Sequence, residues 1–235
     1  MIIELRALSK AYGLMPVLRK IDLDIERGEF VALLGSNGSG KSTLLRLLCG
    51  LTKPTAGSLK VGGWELPKEA AAVRAQMGLV SHKALLYENL TARENLLFFA
   101  RVYGLSDIDA RIQSGLHRVG LGKRGADLVR TYSRGMLQRL SIARALIHDP
   151  DILLLDEPYT GLDQDASRTL DDLLVQAHAD GKTIFMVTHE LDRAQRLAGR
   201  AVILSRGGIA LDAAMNSIDY LPARYTEVTG MTSAR

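Results

Sequence analysis

The 235-residue sequence contains a single cysteine, Cys49, so no disulfide can form within the chain. Cys49 lies in the apolar stretch LLRLLCGL, which favours a buried structural thiol and fits a reducing cytosol. Aromatic residues make up 5% of the chain, too few for a surface that binds nucleic acid by base stacking. No apolar run approaches the roughly 20 residues of a membrane-spanning helix, and no N-terminal signal pattern is present. Any membrane contact is therefore expected to come through another chain.

The charge and the apolar content allow a compact protein with an anionic partner. Apolar residues make up 47% and charged residues 24% of the chain, an ordinary globular balance, and the length allows one or two cores. The net charge of +4 would suit a nucleotide, a lipid headgroup or nucleic acid. A few extra Lys and Arg on solvated helices explain it equally well.

Two kinds of strand alternate with helices along the chain. Ile21, Leu23 and Ile25 alternate with acidic residues, which predicts a half-buried antiparallel strand. Four later strands are predicted from continuous apolar runs, which are typical of a parallel sheet covered on both faces: residues 30–35, 152–158, 183–189 and 201–205. The pattern predicts an α/β fold with a mostly parallel sheet.

Capping signals mark two of the predicted helices. Thr91 and Glu94 form a capping-box pattern that opens a helix-rich stretch over about residues 91–148. A second helix is predicted to follow Asp163 and to end near Gly181. No internal repeat or sustained heptad pattern is present, so the chain is predicted to be one domain with a helical insertion.

A glycine-rich stretch carries the first chemical signal. GSNGSGKS fits the G-x-x-x-x-G-K-[ST] pattern and lies between an apolar strand and a helical run, as a phosphate-binding loop requires. Its backbone N–H groups would surround phosphate oxygens, Lys41 would reach the β and γ phosphates, and the Ser42 hydroxyl would bind Mg²⁺. The predicted nucleotide-binding residues here are Gly35, Ser36, Asn37, Gly38, Ser39, Gly40, Lys41, Ser42 and Thr43.

Two later strands end in polar side chains. DILLLDEP delivers Asp156 and Glu157 to the carboxyl end of a strand, where ligands of such sheets bind. Alternation along the strand points the two side chains different ways, so Asp156 can hold Mg²⁺ through water while Glu157 polarises an attacking water, although the pair could instead cap the next loop. His189 ends the strand TIFMVTH, and alone it would be read as an ordinary surface or core histidine.

In this order, the motifs resemble the ATP-binding cassette (ABC) family over about residues 3–212. The family's phosphate loop, glutamine loop, signature, acidic strand, D-loop and switch histidine correspond to GSNGSGKS, SHKALLYENLT, YSRGMLQR, ILLLDE, TGLD and TH. The resemblance implies a phosphate-loop NTPase core in a single cassette over residues 1–218, with an antiparallel part at about 1–28 and 57–65, a helical subdomain at about 91–148, and a C-terminal tail at 219–235. It implies ATP and Mg²⁺ as ligands.

The same resemblance assigns further residues to the nucleotide. Tyr12 would stack on adenine, although a single Tyr after a strand is often mere packing. In the family, two cassettes associate head to tail with each ATP between them. The helix that begins within YSRGM would therefore contact the partner's ATP through Ser133, Arg134, Gly135 and Met136. Asp163 closes the D-loop motif TGLD. Asp156 and Ser42 would hold the metal, with Glu157 and His189 as catalytic groups.

Two departures from the family pattern stand out. YSRGM replaces the usual LSGGQ, and Arg134 could add charge at the phosphate or crowd the interface. His82 stands where the glutamine of the glutamine loop is expected, and a neutral imidazole can offer a nitrogen to Mg²⁺ or to water. His82 is therefore predicted to be both a metal ligand and a catalytic group.

The resemblance implies the ATP-hydrolysing subunit of a membrane transporter, bound to the inner face of the cell membrane through separate transmembrane subunits. The apolar residues 85–87, with Leu96, Phe99 and Tyr103, would form the groove for such a partner, with core packing as the alternative. The expected partners are a second copy or a paralogous cassette and the transmembrane chains, with no nucleic acid. Within the family, VSHKALLYENLTARENL together with YSRGMLQRLSIARAL resembles the cytochrome c maturation branch of haem exporters, while drug, lipid or polysaccharide exporters share most of the same residues. An ABC ATPase that acts on nucleic acid or ribosomes without transport, and a phosphate-loop kinase of small molecules, share part of the same pattern.

Overall fold

The computed structural model describes residues 1–81 and 84–230. Its strands are β1 (Ile3–Tyr12), β2 (Met15–Ile25), β3 (Phe30–Gly35), β4 (Ala56–Val61), β5 (Trp64–Leu66), β6 (Met77–Val80), β7 (Ile152–Asp156), β8 (Thr183–Val187), β9 (Arg200–Ser205) and β10 (Gly208–Ala214). Its α-helices are α1 (Lys41–Leu48), α2 (Ala70–Ala75), α3 (Ala92–Val102), α4 (Ile108–Arg118), α5 (Arg134–Leu146), α6 (Gln164–Ala179), α7 (Leu191–Leu197) and α8 (Leu221–Thr229).

The strands form two sheets. One is antiparallel with the order β2-β1-β4-β5, and the other has the order β10-β9-β3-β8-β7-β6. In the second sheet β6, β7, β8, β3 and β9 run parallel, while β10 pairs antiparallel with β9. The predicted fold class, a mostly parallel α/β sheet with an antiparallel N-terminal sheet and a helical insertion, is confirmed.

The parallel strands are buried on both faces, which explains their continuous apolar runs. Along β3, Val31 and Leu33 belong to a core shared with the antiparallel sheet and α1. Phe30, Ala32 and Leu34 belong to a second core, which lies against the helices of the insertion and against α6 to α8. Every side chain of β3 is therefore buried, and the strand has no solvent-facing position at which a polar residue would alternate with apolar ones.

The helical insertion contains α3, α4 and α5. The predicted capping box is confirmed, because the Thr91 hydroxyl accepts a hydrogen bond from Glu94 N while Glu94 Oε2 accepts one from Thr91 N. Helix α5 packs against β6, where Gly78 leaves room for it, since a Cβ there would lie 2.9 Å from Leu153 Cδ2 and would clash with the Ala145 carbonyl. The glycine therefore sets how closely the insertion approaches the sheet.

Three elements do not follow from the sequence pattern. Strands β6 and β10 extend the parallel sheet at its two ends. Helix α8 lies within the stretch predicted to be a tail, and Leu221 at its start is fully buried. Helix α8 has only nine residues, and it is held by packing of Leu221, Tyr225 and Val228 against the core.

Candidate functional site

The phosphate loop, residues 35–43, connects β3 to α1 at the carboxyl end of the parallel sheet. Lys41 opens α1 and is only 9% exposed. Its Nζ donates hydrogen bonds to Gly35 O at 2.6 Å and to Ser36 O at 3.1 Å. Burial lowers the pKa of the Lys41 ammonium, and the nearby carboxylates of Glu157 and Asp156 act in the opposite direction. The Lys41 ammonium is thus bound to backbone carbonyl groups of the phosphate loop.

Two glycines allow the loop to close this tightly. Gly35 has φ 151°, and a Cβ there would lie 2.5 Å from the backbone oxygen of Leu204. Gly40 has φ 110°, and a Cβ there would lie 2.6 Å from Leu18 Cδ2. Both positions combine a backbone conformation that favours glycine with a lack of space for any side chain.

The loop presents polar groups at the N-terminus of α1. Asn37, Gly38 and Ser42 are exposed there, and Ser36 and Thr43 are half-buried. Helix α1 has no acidic residue in its first turn and no side-chain cap. The Ser39 hydroxyl is buried and has no hydrogen-bond partner among the described residues. Unpaired donors and a helix N-terminus suit an anion such as a phosphate group.

Asp156 and Glu157 lie at the same edge of the sheet, but not as the strand alternation predicts. Strand β7 ends at Asp156, and Glu157 has φ 51°, in the left-handed region. The direction of the Glu157 side chain is therefore set by a turn, and the prediction of continued alternation is wrong. The backbone N of Glu157 still donates to Val187 O at 2.9 Å, which ties the turn to β8.

Glu157 and His189 meet across the ends of β7 and β8. His189 Nδ1 lies 2.7 Å from Glu157 Oε2, with the histidine side chain 67% exposed and the glutamate 24% exposed. In the tautomer with a proton on Nδ1, the imidazole donates to the carboxylate and leaves Nε2 free to accept. The structure thus brings together a carboxylate, an imidazole and the Lys41 loop at one sheet edge.

The signature segment, residues 132–136, begins α5. The Ser133 hydroxyl accepts a hydrogen bond of 3.3 Å from Met136 N and so caps the helix. Ser133 and Arg134 are exposed. Met136 is half-buried and packs against the core. The small size of Gly135 is used within the chain, because a Cβ there would lie 2.9 Å from Ala166 Cβ of α6.

Arg134 lies against the D-loop of the same chain. A Cβ on Gly161 would lie 2.5 Å from Nη1 and 2.6 Å from Nε of Arg134, so the guanidinium covers the glycine. Gly161 has φ 72°. Asp163 caps α6, since its Oδ1 accepts a hydrogen bond of 2.8 Å from Ala166 N. The start of the signature helix, the D-loop and the start of α6 therefore form one contiguous unit.

Comparison with known proteins identifies the family. A sequence model of the family described as "ABC transporter" matches residues 18–160, more than half of the chain. The chain belongs to the ABC transporter family. It is an ABC ATPase domain.

Two curated relatives from bacteria are similar over most of the chain. Nod factor export ATP-binding protein I of Cupriavidus pinatubonensis is 42% identical over 208 residues, which cover 88% of this chain and 64% of that protein. ABC transporter ATP-binding protein NatA of Bacillus subtilis is 39% identical over 204 residues, covering 86% of this chain and 83% of that protein. The chain thus spans slightly less than two thirds of the Nod factor export protein.

A solved structure of an ATP-binding cassette has the same fold. It is a dimer in a post-hydrolysis state bound to ADP and Pi, and it is 29% identical to this chain with a TM-score of 0.82. The alignment covers 91% of this chain and 98% of that one.

Tyr12 and His82 complete the residues predicted from the family. Tyr12 ends β1 with its ring exposed, and Lys10 Nζ lies 4.8 Å from the ring centroid. His82 lies outside the described residues, so its predicted roles as metal ligand and catalytic group stay predictions. No three His, Cys, Asp or Glu side chains cluster as a metal site in residues 1–81 and 84–230.

The predicted partner groove is only partly exposed. Leu96 is fully buried in the core, so it cannot line a surface. Leu85, Phe99 and Tyr103 do line a cavity of about 130 Å³ between α3, α5 and β6. Tyr103 stacks on His148 with ring centroids 3.8 Å apart, and burial lowers the pKa of His148 to about 4. Tyr87 and Phe98 form an exposed edge-to-face pair beside this cavity, with centroids 5.1 Å apart.

Two residues of the site were missed by sequence reasoning. Tyr159 and Arg193 lie in the segments that follow Glu157 and His189, and the Arg193 guanidinium lies 4.2 Å from the Tyr159 ring centroid. They are 34 positions apart, and neither belongs to a motif that predicts a function.

Across the part of the chain that the structure describes, no helix is both long enough and apolar enough to cross a membrane.

Proposed function

We propose that this chain is the nucleotide-binding subunit of a membrane exporter, in which two cassettes enclose ATP and hydrolyse it to drive separate transmembrane subunits. The observation that carries the proposal is the convergence of Lys41, Asp156 and the Glu157–His189 pair at one edge of the parallel sheet. In this role the chain lies on the inner face of the cell membrane through its partners.

The phosphate loop fits a nucleoside triphosphate with its metal ion. Lys41 supplies a buried positive charge, and the exposed Ser42 hydroxyl stands in the first turn of α1. Ser42 and Asp156 would hold Mg²⁺, which suits oxygen ligands and usually keeps several waters and substrate oxygens. When bound, the ion supplies charge neutralisation at the β and γ phosphates. Tyr12 would stack on the adenine.

Glu157 acts on the water that attacks the γ-phosphorus. As a carboxylate, it accepts the proton of that water while the bond between the γ-phosphorus and the bridging oxygen breaks, giving ADP and phosphate. His189 orients Glu157 through the 2.7 Å contact. Lys41 and the amides of the loop stabilise the negative charge that develops on the phosphoryl oxygens. His82 would assist near the metal and the water.

The signature segment serves the ATP of a second cassette. Ser133 and Arg134 are exposed, and the first turn of α5 carries positive partial charge on its backbone N–H groups. A head-to-tail dimer of two copies, or of this chain and a paralogous cassette, would bring them to the γ-phosphate.

The exposed apolar residues near α3 support a membrane partner. Leu85, Tyr87 and Phe98 are exposed large apolar side chains, and the Tyr87 ring packs edge-to-face on Phe98 of α3. Exposed apolar patches mark sites of protein contact, and a helix of a transmembrane subunit would bury this one. An exporter is favoured because one relative is named for Nod factor export.

Neither the assignment to haem export nor the two functions other than transport have support of this kind. Neither of the two curated relatives described above carries a name that refers to haem or to cytochrome c maturation. Export of haem stays a hypothesis from the YSRGM and SHKALLYENLT motifs alone. Neither a non-transport ABC ATPase nor a small-molecule kinase is favoured by a contact among the described residues.

The test is replacement of Glu157 by Gln. We expect ATP binding to be retained while steady-state hydrolysis falls at least about 100-fold, since a positioned general base contributes that much or more. Glu227→Gln is the matched control, because Glu227 is exposed on α8 and pairs with Arg224 of the same helix. ATPase turnover and equilibrium binding of ATP are measured on both variants. Near-normal turnover of Glu157→Gln would remove Glu157 from the mechanism.

A further inference from the structure

Arg193 on α7 joins three separate elements. Its Nε donates to Glu190 Oε2 at 2.9 Å, and its Nη1 donates to Asp171 Oδ1 at 2.8 Å. The same Nη1 lies 3.3 Å from Ser167 O of α6. Its guanidinium covers the ring of Tyr159, which is 3% exposed, while the Arg193 side chain is 17% exposed. Arg193 thus ties α7, α6 and the segment after β7 together in a mostly buried cluster.

This cluster lies beside the Glu157–His189 contact. Glu157 and Tyr159 are two residues apart on the segment that leaves β7, and His189 and Arg193 are four residues apart on the segment that leaves β8. The same two segments therefore touch twice, once through Glu157 and His189 and once through Tyr159 and Arg193.

The two contacts differ in strength. The Glu157–His189 contact is exposed on the histidine side, where water competes for the same hydrogen bond and its net contribution to stability is small. An exposed pair of this kind does not by itself hold two loops in register. The Arg193 cluster combines a fork of charge-assisted hydrogen bonds with a cation–π contact away from water, and such contacts are stronger when desolvated. Although burial acts to lower the pKa of Arg193, the carboxylates of Asp171 and Glu190 raise it on balance.

We propose that Arg193 is a positioning residue for ATP hydrolysis, which holds the start of α7 against Tyr159 so that His189 stays in contact with Glu157. The proposal rests on the roles proposed above for Glu157 and His189. The contacts of Arg193 described above lie on α6, at the start of α7 and on Tyr159. Arg193 therefore acts through Glu157 and His189 rather than on the nucleotide. Its loss should therefore change the rate of the chemical step while leaving the affinity for ATP largely unchanged.

The first experiment compares Arg193→Gln with Arg196→Gln. Arg196 is one turn further along α7, is 63% exposed, and lies 3.7 Å from the same Asp171 carboxylate. We expect Arg193→Gln to lower kcat about 10-fold to 100-fold, the size of effect that small misplacement of reacting groups produces, with KM for ATP within about twofold. Arg196→Gln should stay within about twofold of the parent in both constants.

Arg193→Lys and Tyr159→Leu keep the test open if Arg193→Gln does not fold. Lysine retains the charge but not the planar fork, so we expect part of the lost kcat to return. Tyr159→Leu removes the ring beneath the guanidinium and should lower kcat in the same direction without changing KM. Parent-like kcat in all three variants would overturn the proposal.

A double-mutant comparison separates positioning from general damage. In a His189→Ala background the Glu157–His189 contact is already gone, so Arg193→Gln should lower the residual kcat by less than about twofold. If the same 10-fold or larger loss persists there, Arg193 acts on the fold and the proposal is wrong. If His189→Ala and Glu157→Gln both leave turnover near normal, the proposed catalytic roles fail, and that failure is visible without any Arg193 variant.

Discussion

The phosphate loop and the signature segment both present a helix N-terminus, yet they are built in opposite ways. In the phosphate loop, Lys41 is buried and bonded to Gly35 O and Ser36 O, and Leu204 and Leu18 leave no space at Gly35 and Gly40. In the signature segment, Ser133 and Arg134 are exposed. The first region is shaped entirely by its own chain. The second offers polar groups outward, which suits a ligand held by a second cassette.

The largest expected effect comes from disabling each region separately. Lys41→Ala and Ser133→Ala should each lower steady-state ATPase activity, Lys41→Ala by about 100-fold to 1000-fold, because loss of one group that stabilises developing charge has effects of this size. If each ATP lies between the phosphate loop of one chain and the signature segment of another, mixing the two variants restores one intact composite site per heterodimer. Activity is measured before and after mixing.

The control for the mixing experiment is a single chain that carries both substitutions. In a heterodimer of this double variant with the parent, neither site has both faces intact, and the heterodimer is purified away from the active parent homodimer before the assay. Recovery with the two single variants, but not with the double variant, would support a shared site. No recovery despite demonstrated heterodimers would mean that both sites must act together or that ATP is not shared.

The second comparison concerns how tightly the phosphate loop is built. Gly40→Ala should lower the free energy of unfolding by about 2–4 kcal/mol, since a Cβ would overlap Leu18 Cδ2 and the backbone has φ 110°. Gly38→Ala is the matched control. Its φ is 80° and its Cβ would meet none of the described residues within 4 Å, so only the backbone cost of about 1–2 kcal/mol applies. Urea unfolding measures both, and equal losses would mean that packing against Leu18 does not shape the loop.

The smallest expected effect is at the contact between Arg134 and Gly161. Arg134→Ala should change the free energy of unfolding by less than about 0.5 kcal/mol, because the side chain is exposed and alanine suits a helical backbone. Gly161→Ala should cost more in the parent than in the Arg134→Ala chain, since the new Cβ would displace the guanidinium only where one is present. The coupling expected from a double-mutant cycle is about 0.5–1 kcal/mol. A coupling of zero would mean that the contact has no energetic weight.

Local signals explain which parts of the fold were predictable. Strands β3, β7, β8 and β9 follow from apolar runs, since both of their faces are covered, and α3 follows from the Thr91–Glu94 capping box. Strand β6 has four residues and α8 has nine, so the apolar pattern of each covers too few residues to predict the element. Their stability comes from neighbours that are distant in sequence.

The residues of the candidate site also divide into those that a local motif predicts and those that it does not. The phosphate loop is one continuous motif, so its residues could be predicted together. The partners of Arg193 lie on three segments, at Tyr159, Asp171 and Glu190, and no local pattern joins them. The turn at Glu157 was also unpredictable, because a glutamate rarely adopts a positive φ and alternation along β7 predicts another direction.

The left-handed backbone of Glu157 has a consequence for how this protein responds to selection. A non-glycine residue at φ 51° carries a conformational penalty of about 1–2 kcal/mol, which glycine or asparagine would relieve. Directed evolution for heat resistance would therefore favour replacements at this position, and under the role proposed above for Glu157 the more stable variants would lose ATP hydrolysis. Under that role, thermal stability and ATPase activity favour different residues at position 157. A library screened for folding alone would therefore lose active variants.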